Sequence, residues 1–342
     1  MARVDMTETE HDGTGTEPGA SRFRALRDRL RSDRGIWRRG ILLALCAMAL
    51  TLLMGFHSDI PNRVGNLGSL TETFLPWLGL FVPLLLVLAL IRRSATALVA
   101  LTLPAVVWLN IFGGLVADKS APGAPGDLTV ATHNVNADNP DPDATARRLA
   151  VSDADVLALE ELKSDAVPAY EKALASVYPY HSVQGTVGLW SKLPLRAARP
   201  VDIRMGWTRA MRATVVTPRG DVAVYVAHLP SVRVKLNAGF TANQRDKSAN
   251  ALGEAISHDP TERIVLLGDL NGTMNDRSLK AVTSQLRSTQ GAAGDGFGFS
   301  WPASFPLARI DQIMVKGVEP VSSWALPETL SDHLPIAARV RL

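Results

Sequence analysis

A chain of 342 residues with 46% hydrophobic and 20% charged residues holds enough apolar material for one large domain or two ordinary ones, which excludes disorder over its whole length. Its net charge of +3 is small but unevenly placed, since Arg22, Arg24, Arg27, Arg29, Arg31, Arg34, Arg38 and Arg39 crowd the N-terminal region. A single cysteine, Cys46, excludes an intrachain disulfide, so any exported part must be stable without one; lying in an apolar run, it reads as a small buried thiol.

Residues 1–21 are rich in Thr, Glu, Gly and Asp and show no apolar periodicity. They are expected to be disordered, and with the basic stretch that follows they make a cytoplasmic tail over 1–39. Three uncharged windows come next, 40–58, 73–91 and 94–117, and each reaches the length of about 18 residues that crosses a hydrocarbon core. The first carries Leu42, Leu43, Leu45, Met48, Leu52 and Leu53 on every helical face, where a soluble helix would show a polar stripe. A cleaved signal peptide would not be followed by two further spans. Loop charge sets the expected topology. Arg92 and Arg93 sit between the second and third windows, whereas the loop 57–72 carries only Arg63, so the chain reads inside, outside, inside and then outside. A multi-pass membrane domain over 40–117, a linker over 118–126 containing Pro122 and Pro125, and an extracytoplasmic domain over 127–342 follow.

Beyond the linker, short apolar runs alternate with amphipathic stretches. The pattern predicts strands at 128–132, 156–159, 187–190, 213–216, 222–227, 264–267, 310–315 and 336–340, and helices at 145–150, 167–177 and 242–256. This is a mixed α/β domain of ordinary single-domain size.

Polar residues gather where the predicted strands end. His133-Asn134-Val135-Asn136 follows the first, Glu160-Glu161 the second, His228 the fifth, and Asp269 and Asn271 the sixth; Asp311 lies at the start of the seventh, and Asp332-His333 precedes the last. Each has a plain explanation when taken singly, because Asn and Asp after a strand are ordinary turn formers. Together they point elsewhere. Ligands of α/β sheets collect outside the strand ends, and a set of carboxylates, carboxamides and two histidines is a hard oxygen-donor site suited to Mg²⁺ or Mn²⁺ and to phosphoryl chemistry.

The ordered series T-H-N-V-N (132–136), L-A-L-E-E-L-K (157–163), G-L-W-S-K-L-P-L (188–195), Y-V-A-H-L (225–229), G-D-L-N-G (268–272), R-I-D-Q-I (309–313) and S-D-H-L-P (331–335) resembles the endonuclease/exonuclease/phosphatase superfamily over the whole C-terminal domain. The resemblance implies a four-layer sandwich of two mixed β-sheets flanked by helices. It also implies roles: Glu161 as principal metal ligand with Asn134 and Asp332; Asp269 orienting or deprotonating the attacking water; and Asn271 hydrogen-bonded to a phosphate oxygen. His333 would contact the scissile phosphate with Asp311 fixing its tautomer, His228 would help protonate the leaving oxygen, and Arg212 and Arg209 would bind the phosphate. Two positions depart from the commoner pattern: Glu160-Glu161 stands where many members have Gln-Glu, leaving the choice of ligand between the two open, and Asn136 stands where some have Asp.

The chain also resembles multi-span actinomycete membrane members of that superfamily associated with teicoplanin-type glycopeptide resistance. This implies a lipid-linked phosphate, undecaprenyl pyrophosphate, as substrate at the outer membrane face, tied to cell-wall cycling. Two alternatives stand beside it. An extracytoplasmic phosphodiesterase, nuclease or sphingomyelinase-like, would use the same residues, but the aromatic-poor domain with dispersed arginines does not favour a nucleic-acid partner. A non-catalytic membrane sensor would not need every catalytic position filled. A transporter would need more spans and a polar intramembrane path.

Overall fold

The computed structural model describes residues 35–62, 65–121, 123–231, 233–235, 239–241 and 243–342; the tail at 1–21 and the arginines from Arg22 to Arg34 fall outside them. The chain forms two compact units, one from the described parts of Met1–Leu52 and Gly79–Val106, the other from Leu53–Leu78 and Val107–Leu342.

Among the described residues, four α-helices precede the sheets: α1 (Ile41–Gly55), α2 (Leu67–Thr73), α3 (Phe81–Ile91) and α4 (Ala95–Val116). Helices α1, α3 and α4 carry no charged residue and expose Leu42, Leu45, Leu84, Leu90, Val99 and Val106, so their apolar side chains are not confined to one stripe. Cys46 is exposed on α1 rather than buried. Among the described residues, only α4 is, by itself, long and apolar enough to cross a membrane. With 15 residues, α1 spans about 22 Å, less than a hydrocarbon core of about 30 Å. The window 73–91 is not one straight helix. A 3₁₀ segment, Leu75–Leu80, runs on into α3, and the run Leu75–Ile91 is bent by 69° from α2. Pro76 lacks the N–H that would carry α2 onward, whereas Pro83 falls in the first turn of α3, where no donor is needed. The three expected crossings therefore become one clear candidate, a bent pair that counts as a second if taken as one span, and a short apolar helix.

The larger unit continues with β1 (Leu128–Asn134), α5 (Pro142–Ala150), β2 (Val156–Glu160), α6 (Val167–Leu174), β3 (Tyr180–Gln184), β4 (Val187–Ser191), β5 (Leu195–Pro200), β6 (Ala210–Thr217), β7 (Gly220–Ala227), β8 (Arg233–Lys235), β9 (Gly239–Thr241) and α7 (Asn243–Ser257). It ends with β10 (Ile264–Asp269), α8 (Lys280–Thr283), β11 (Arg287–Ser288), α9 (Thr289–Ala293), β12 (Asp311–Lys316), β13 (Glu319–Ala325) and β14 (Ile336–Arg341). One sheet has the order β13-β14-β1-β2-β4-β3 and the other β11-β12-β10-β7-β6-β5, while β8 and β9 form a separate ribbon.

Strand alternation sorts the core into layers. Val130, Val156, Ala158 and Leu189 of the first sheet meet Val215, Val224, Leu267 and Ile313 of the second in a shared interior. The opposite faces are covered too. Leu157, Leu159 and Trp190 pack with Leu149 of α5 and Tyr170 of α6, and Tyr225, Leu266 and Met314 pack with Leu252 and Ile256 of α7. The result is the expected four-layer sandwich of two mixed sheets flanked by helices. Central strands such as β1 and β10 are buried on both faces, which explains their unbroken apolar runs.

The topology positions the site. Strands β1 and β2 are parallel, as are β7 and β10. Strands β12 and β14 run antiparallel to β10 and β1, so their N-terminal ends arrive where β10 and β1 finish.

Candidate active site

Two tight turns set up the floor of the site. Gly268 at the end of β10 adopts φ +143°, and a Cβ there would run into the carbonyl oxygen of Ala227 on β7, so only glycine lets the two strands approach this closely before Asp269. Glu161, just past β2, holds φ 61°, a left-handed conformation uncommon for a non-glycine residue. That twist separates the paired glutamates. Glu160 stays on the strand, fully buried, and accepts from Thr132 Oγ1 at 2.6 Å. Burial pushes its carboxyl well above the usual range, with the Asp311 and Asp269 charges adding. Glu161 turns into the open cleft and accepts from Asn134 Nδ2 at 3.2 Å and from the Ala137 amide at 2.9 Å. Of the two, Glu161 is the carboxylate placed to meet a ligand.

Asn134 ties the acids together, its Nδ2 also donating to Asp269 Oδ2 at 3.0 Å. Asp269 receives the Asn271 amide at 2.9 Å and Asn271 Nδ2 at 3.1 Å. Burial and the Asp311 charge raise its carboxyl to about 7, against the opposing pull of His333. Asn271 reaches the site, but not in the role expected for it: its amide hydrogens are taken by Leu229 O at 2.9 Å and by Asp269, so it holds Asp269 rather than presenting donors to a phosphate.

The two histidines sit in opposite surroundings. His333 donates through Nδ1 to Asp311 Oδ2 at 2.9 Å, and Asp311 also accepts from Ser300 Oγ at 2.6 Å. Burial alone would lower the imidazole, but Asp311 and Asp269 outweigh it and raise His333 to about 10, while the His333 charge and the bonds from His333 and Ser300 bring Asp311 below its ordinary value despite burial. His333 is thus an imidazolium at neutral pH. His228 has Arg209 Nη2 against its ring, 2.6 Å from Nδ1. Burial and the Arg209 charge push it well below its ordinary value, and its Nε2 lies 3.4 Å from Glu161 Oε1. A histidine held neutral is poorly suited to the acid role expected of His228; that role suits His333 better.

Arg212 does not reach the site. It alternates with the inward-facing Met211 and Ala213, so it points to the outer layer and binds Asp259 Oδ2 at 3.0 Å and Thr261 Oγ1 at 3.0 Å. Its place as a phosphate ligand is corrected to that of a buried ion pair beneath α7. Asp332 is exposed on the cleft and accepts from Trp301 Nε1 at 3.4 Å.

Glu161, Asp269, Asn271, Asp332 and His333 line a cavity of about 330 Å³ together with Trp301, Ile310, Leu70, Thr73 and Phe74. The last three come from α2 and the residue after it, and were not singled out in the sequence because they sit at the edge of an apolar window. Two further bonds anchor that segment to the unit: Arg277 Nε donates to Glu72 Oε1 at 2.7 Å, and Trp77 Nε1 donates to Leu307 O at 2.7 Å. Ser300 and Ser331, which brace Asp311 and the Asn134 carbonyl, were also missed, although Ser331 stands in the S-D-H-L-P motif.

The donor set fits a hard divalent cation. Glu161 and Asp332 offer accessible carboxylate oxygens beside the amide of Asn134, with no cysteine near, and the raised Asp269 marks a place where added positive charge would be favourable. Asp269, Asp311 and His333 also bring ligand-type atoms within 4.8 Å of one another, but Nδ1 of His333 is already engaged by Asp311, which favours the Glu161 side.

Comparison with known proteins agrees with this geometry. A family model described as endonuclease/exonuclease/phosphatase matches residues 131–333. No curated protein matches the sequence. Among solved structures, an endonuclease/exonuclease/phosphatase from Beutenbergia cavernae aligns with TM-score 0.54 and 20% identity, covering 64% of this chain and 72% of that one. TDP2 from D. rerio, complexed with a single-strand DNA product, aligns with TM-score 0.53 and 18% identity over 63% of this chain and 99% of its own. The mannosyl-6-phosphatase of Bacteroides thetaiotaomicron aligns with TM-score 0.51 and 17% identity over 63% and 100%. At these identities the structural likeness speaks for the fold, and the family match over most of the C-terminal domain settles the assignment: this chain belongs to the endonuclease/exonuclease/phosphatase family, whose members are hydrolases of phosphate esters.

Proposed function

We propose that the chain is a divalent-metal-dependent phosphatase of lipid-linked phosphates, with undecaprenyl pyrophosphate the preferred substrate, acting at the outer face of the cytoplasmic membrane in cell-wall cycling and glycopeptide resistance. One observation carries the reading: the cleft that holds the acids and His333 is also lined by Leu70, Phe74, Trp301 and Ile310, and Leu70 and Phe74 come from the end of the stretch between the first two apolar windows and the start of the second. A substrate with a phosphate head and a prenyl chain matches a cleft whose lining joins charged and apolar side chains. The same stretch bears on topology, because loop charge places 57–72 and the C-terminal domain on one side of the membrane and both lie in one compact unit.

In this reading Mg²⁺ or Mn²⁺, held by Glu161 with Asn134 and Asp332, supplies Lewis-acid polarisation of a phosphoryl oxygen. The chain's own groups do the rest. Asp269, raised to about 7, orients the attacking water and takes its proton. His333, charged and locked by Asp311, binds the scissile phosphate and is the proton donor at the leaving oxygen. Arg209, held against His228, whose Nε2 lies 3.4 Å from Glu161 Oε1, is the second cation available to the phosphate in this reading.

The test is phosphate release from undecaprenyl pyrophosphate in detergent micelles, with Mg²⁺ or chelator, for wild type and His333→Ala. Chelator-sensitive release that the variant loses is the expected result. No release by folded protein, or undiminished release by His333→Ala, overturns the substrate or the site respectively.

A further inference from the structure

A second cavity, of about 300 Å³, opens beside the cleft, and Thr73 lines both. Its walls are apolar. Phe112 and Leu115 come from the last turns of α4, and Phe297 stacks on Phe299 at 5.1 Å and tilts against Phe112 at 5.8 Å. Against this lining stands one deeply placed cation. Arg309, two residues before β12, is 6% exposed. Its Nη1 donates to Gly298 O at 2.7 Å, but Nε and Nη2 are buried with no hydrogen-bond partner. Gln312, also lining the cavity, donates through Nε2 to Arg309 O at 2.8 Å and leaves its Oε1 buried and unpartnered. Lys119 adds a second positive charge, and no carboxylate lines the cavity among the described residues. Asp311, the acid that acts on Arg309 through space, has its oxygens engaged by His333 and Ser300.

Burial lowers the Arg309 guanidinium to about 10, which leaves it charged at neutral pH. A buried guanidinium with two open donors is unfavourable until an anion completes it. Nε and Nη2 form the side fork of the guanidinium, the geometry that meets both oxygens of a carboxylate or phosphate. We propose that this cavity binds an anionic amphiphile, its acid group on Nε and Nη2 of Arg309, a hydroxyl or N–H of its head on Gln312 Oε1, and its apolar chain between the Phe297–Phe299 pair and the end of α4. None of the groups assigned to hydrolysis lines this cavity, so the site is separate from the phosphatase reading and stands or falls without it.

The experiment uses the full chain in neutral detergent and reads tryptophan fluorescence, since Trp108 and Trp77 flank the aromatic lining. Three probes with brominated chains are titrated: phosphatidylglycerol, a fatty acid and phosphatidylcholine. Saturable quenching by phosphatidylglycerol or by the fatty acid, at least about tenfold tighter than by phosphatidylcholine, is expected, and whichever acid is tighter identifies the head group as phosphate or carboxylate. Arg309→Gln should remove that tenfold preference and Arg309→Lys should restore part of it. Leu115→Trp, which fills the cavity without touching the guanidinium, should abolish the saturable quenching while phosphate-ester hydrolysis continues. Equal quenching by all three probes, or unchanged acid binding in Leu115→Trp, overturns the proposal.

Discussion

The two halves of the catalytic cleft hold the same side chain in opposite states. On the half built by β10, β12 and the turn before β14, His333 sits between Asp311 and Asp269 and is raised to about 10. On the half built by β6 and β7, His228 meets Arg209 and is held well below its ordinary value. Burial disfavours the charged ring in both: at His228 the Arg209 guanidinium adds to that effect, whereas at His333 the carboxylates of Asp311 and Asp269 outweigh it. A pair of titratable groups driven apart in this way is how one site gains both a proton donor and a neutral ligand-facing group at a single pH.

The sharpest way to break the contrast is to delete each ring in turn. His333→Ala should lower kcat for a chromogenic phosphate ester by about 10²–10⁴-fold, and His228→Ala by markedly less. Equal losses would show that the electrostatic difference has no functional consequence. Next in size is Asp311→Asn, which keeps the shape of the site but removes the charge that lifts His333. Activity should fall about 10–100-fold, and its alkaline limb, near pH 10 in wild type, should move down towards an ordinary histidine value. The stability effect carries a definite sign. A histidine raised on folding stabilises fully below its unfolded value of about 6.5, and that contribution is lost as pH rises from there through about 10; the depressed Asp311 contributes above about 3.9 and loses its contribution in acid. Denaturant titrations should therefore show Asp311→Asn losing most stability between those limits.

The two arginines of β6 and its approach sharpen the contrast from the other side. Arg209→Met should let His228 rise, seen as an imidazole resonance that begins to titrate in the acid range, with activity reduced only about tenfold. Arg212→Met should leave kcat of the folded protein unchanged yet cost about 3–5 kcal/mol, because it strands Asp259 without its buried partner. If Arg212→Met instead raised KM with stability intact, the correction made for that residue would fail. The smallest effect belongs to Glu160, the buried member of the paired glutamates. Glu160→Gln should change activity little, since burial already disfavours its charge and its side chain stays on the strand against Thr132, whereas Glu161→Gln should remove metal-dependent activity.

Which parts were legible in the sequence follows from how each part is stabilised. Strands buried on both faces, such as β1, β2, β7 and β10, announce themselves as apolar runs, and their ends deliver Asn134, Glu161, His228 and Asp269 to one place. Edge strands did not announce themselves: β3 and β5 are largely exposed and carry polar residues, and β13 begins with Glu-Pro, so none reads as a strand alone. Arg212 misled because a strand arginine near a motif histidine looks like a ligand until alternation reveals the face it occupies. The bend after α2 was hidden as well. Composition reports that 73–91 is apolar, but not that Pro76 breaks it or that its leading edge turns back to wall the cleft.

That leading edge bears on how the enzyme can be studied in isolation. A soluble fragment starting at the linker keeps every reacting group, yet it loses Leu70, Thr73 and Phe74 from the cleft and leaves Arg277 without the buried Glu72 carboxylate. Such a fragment should still cleave small chromogenic esters but misreport selectivity, because part of the lining of the cleft is gone. Selectivity screens on this protein belong with the N-terminal helices attached.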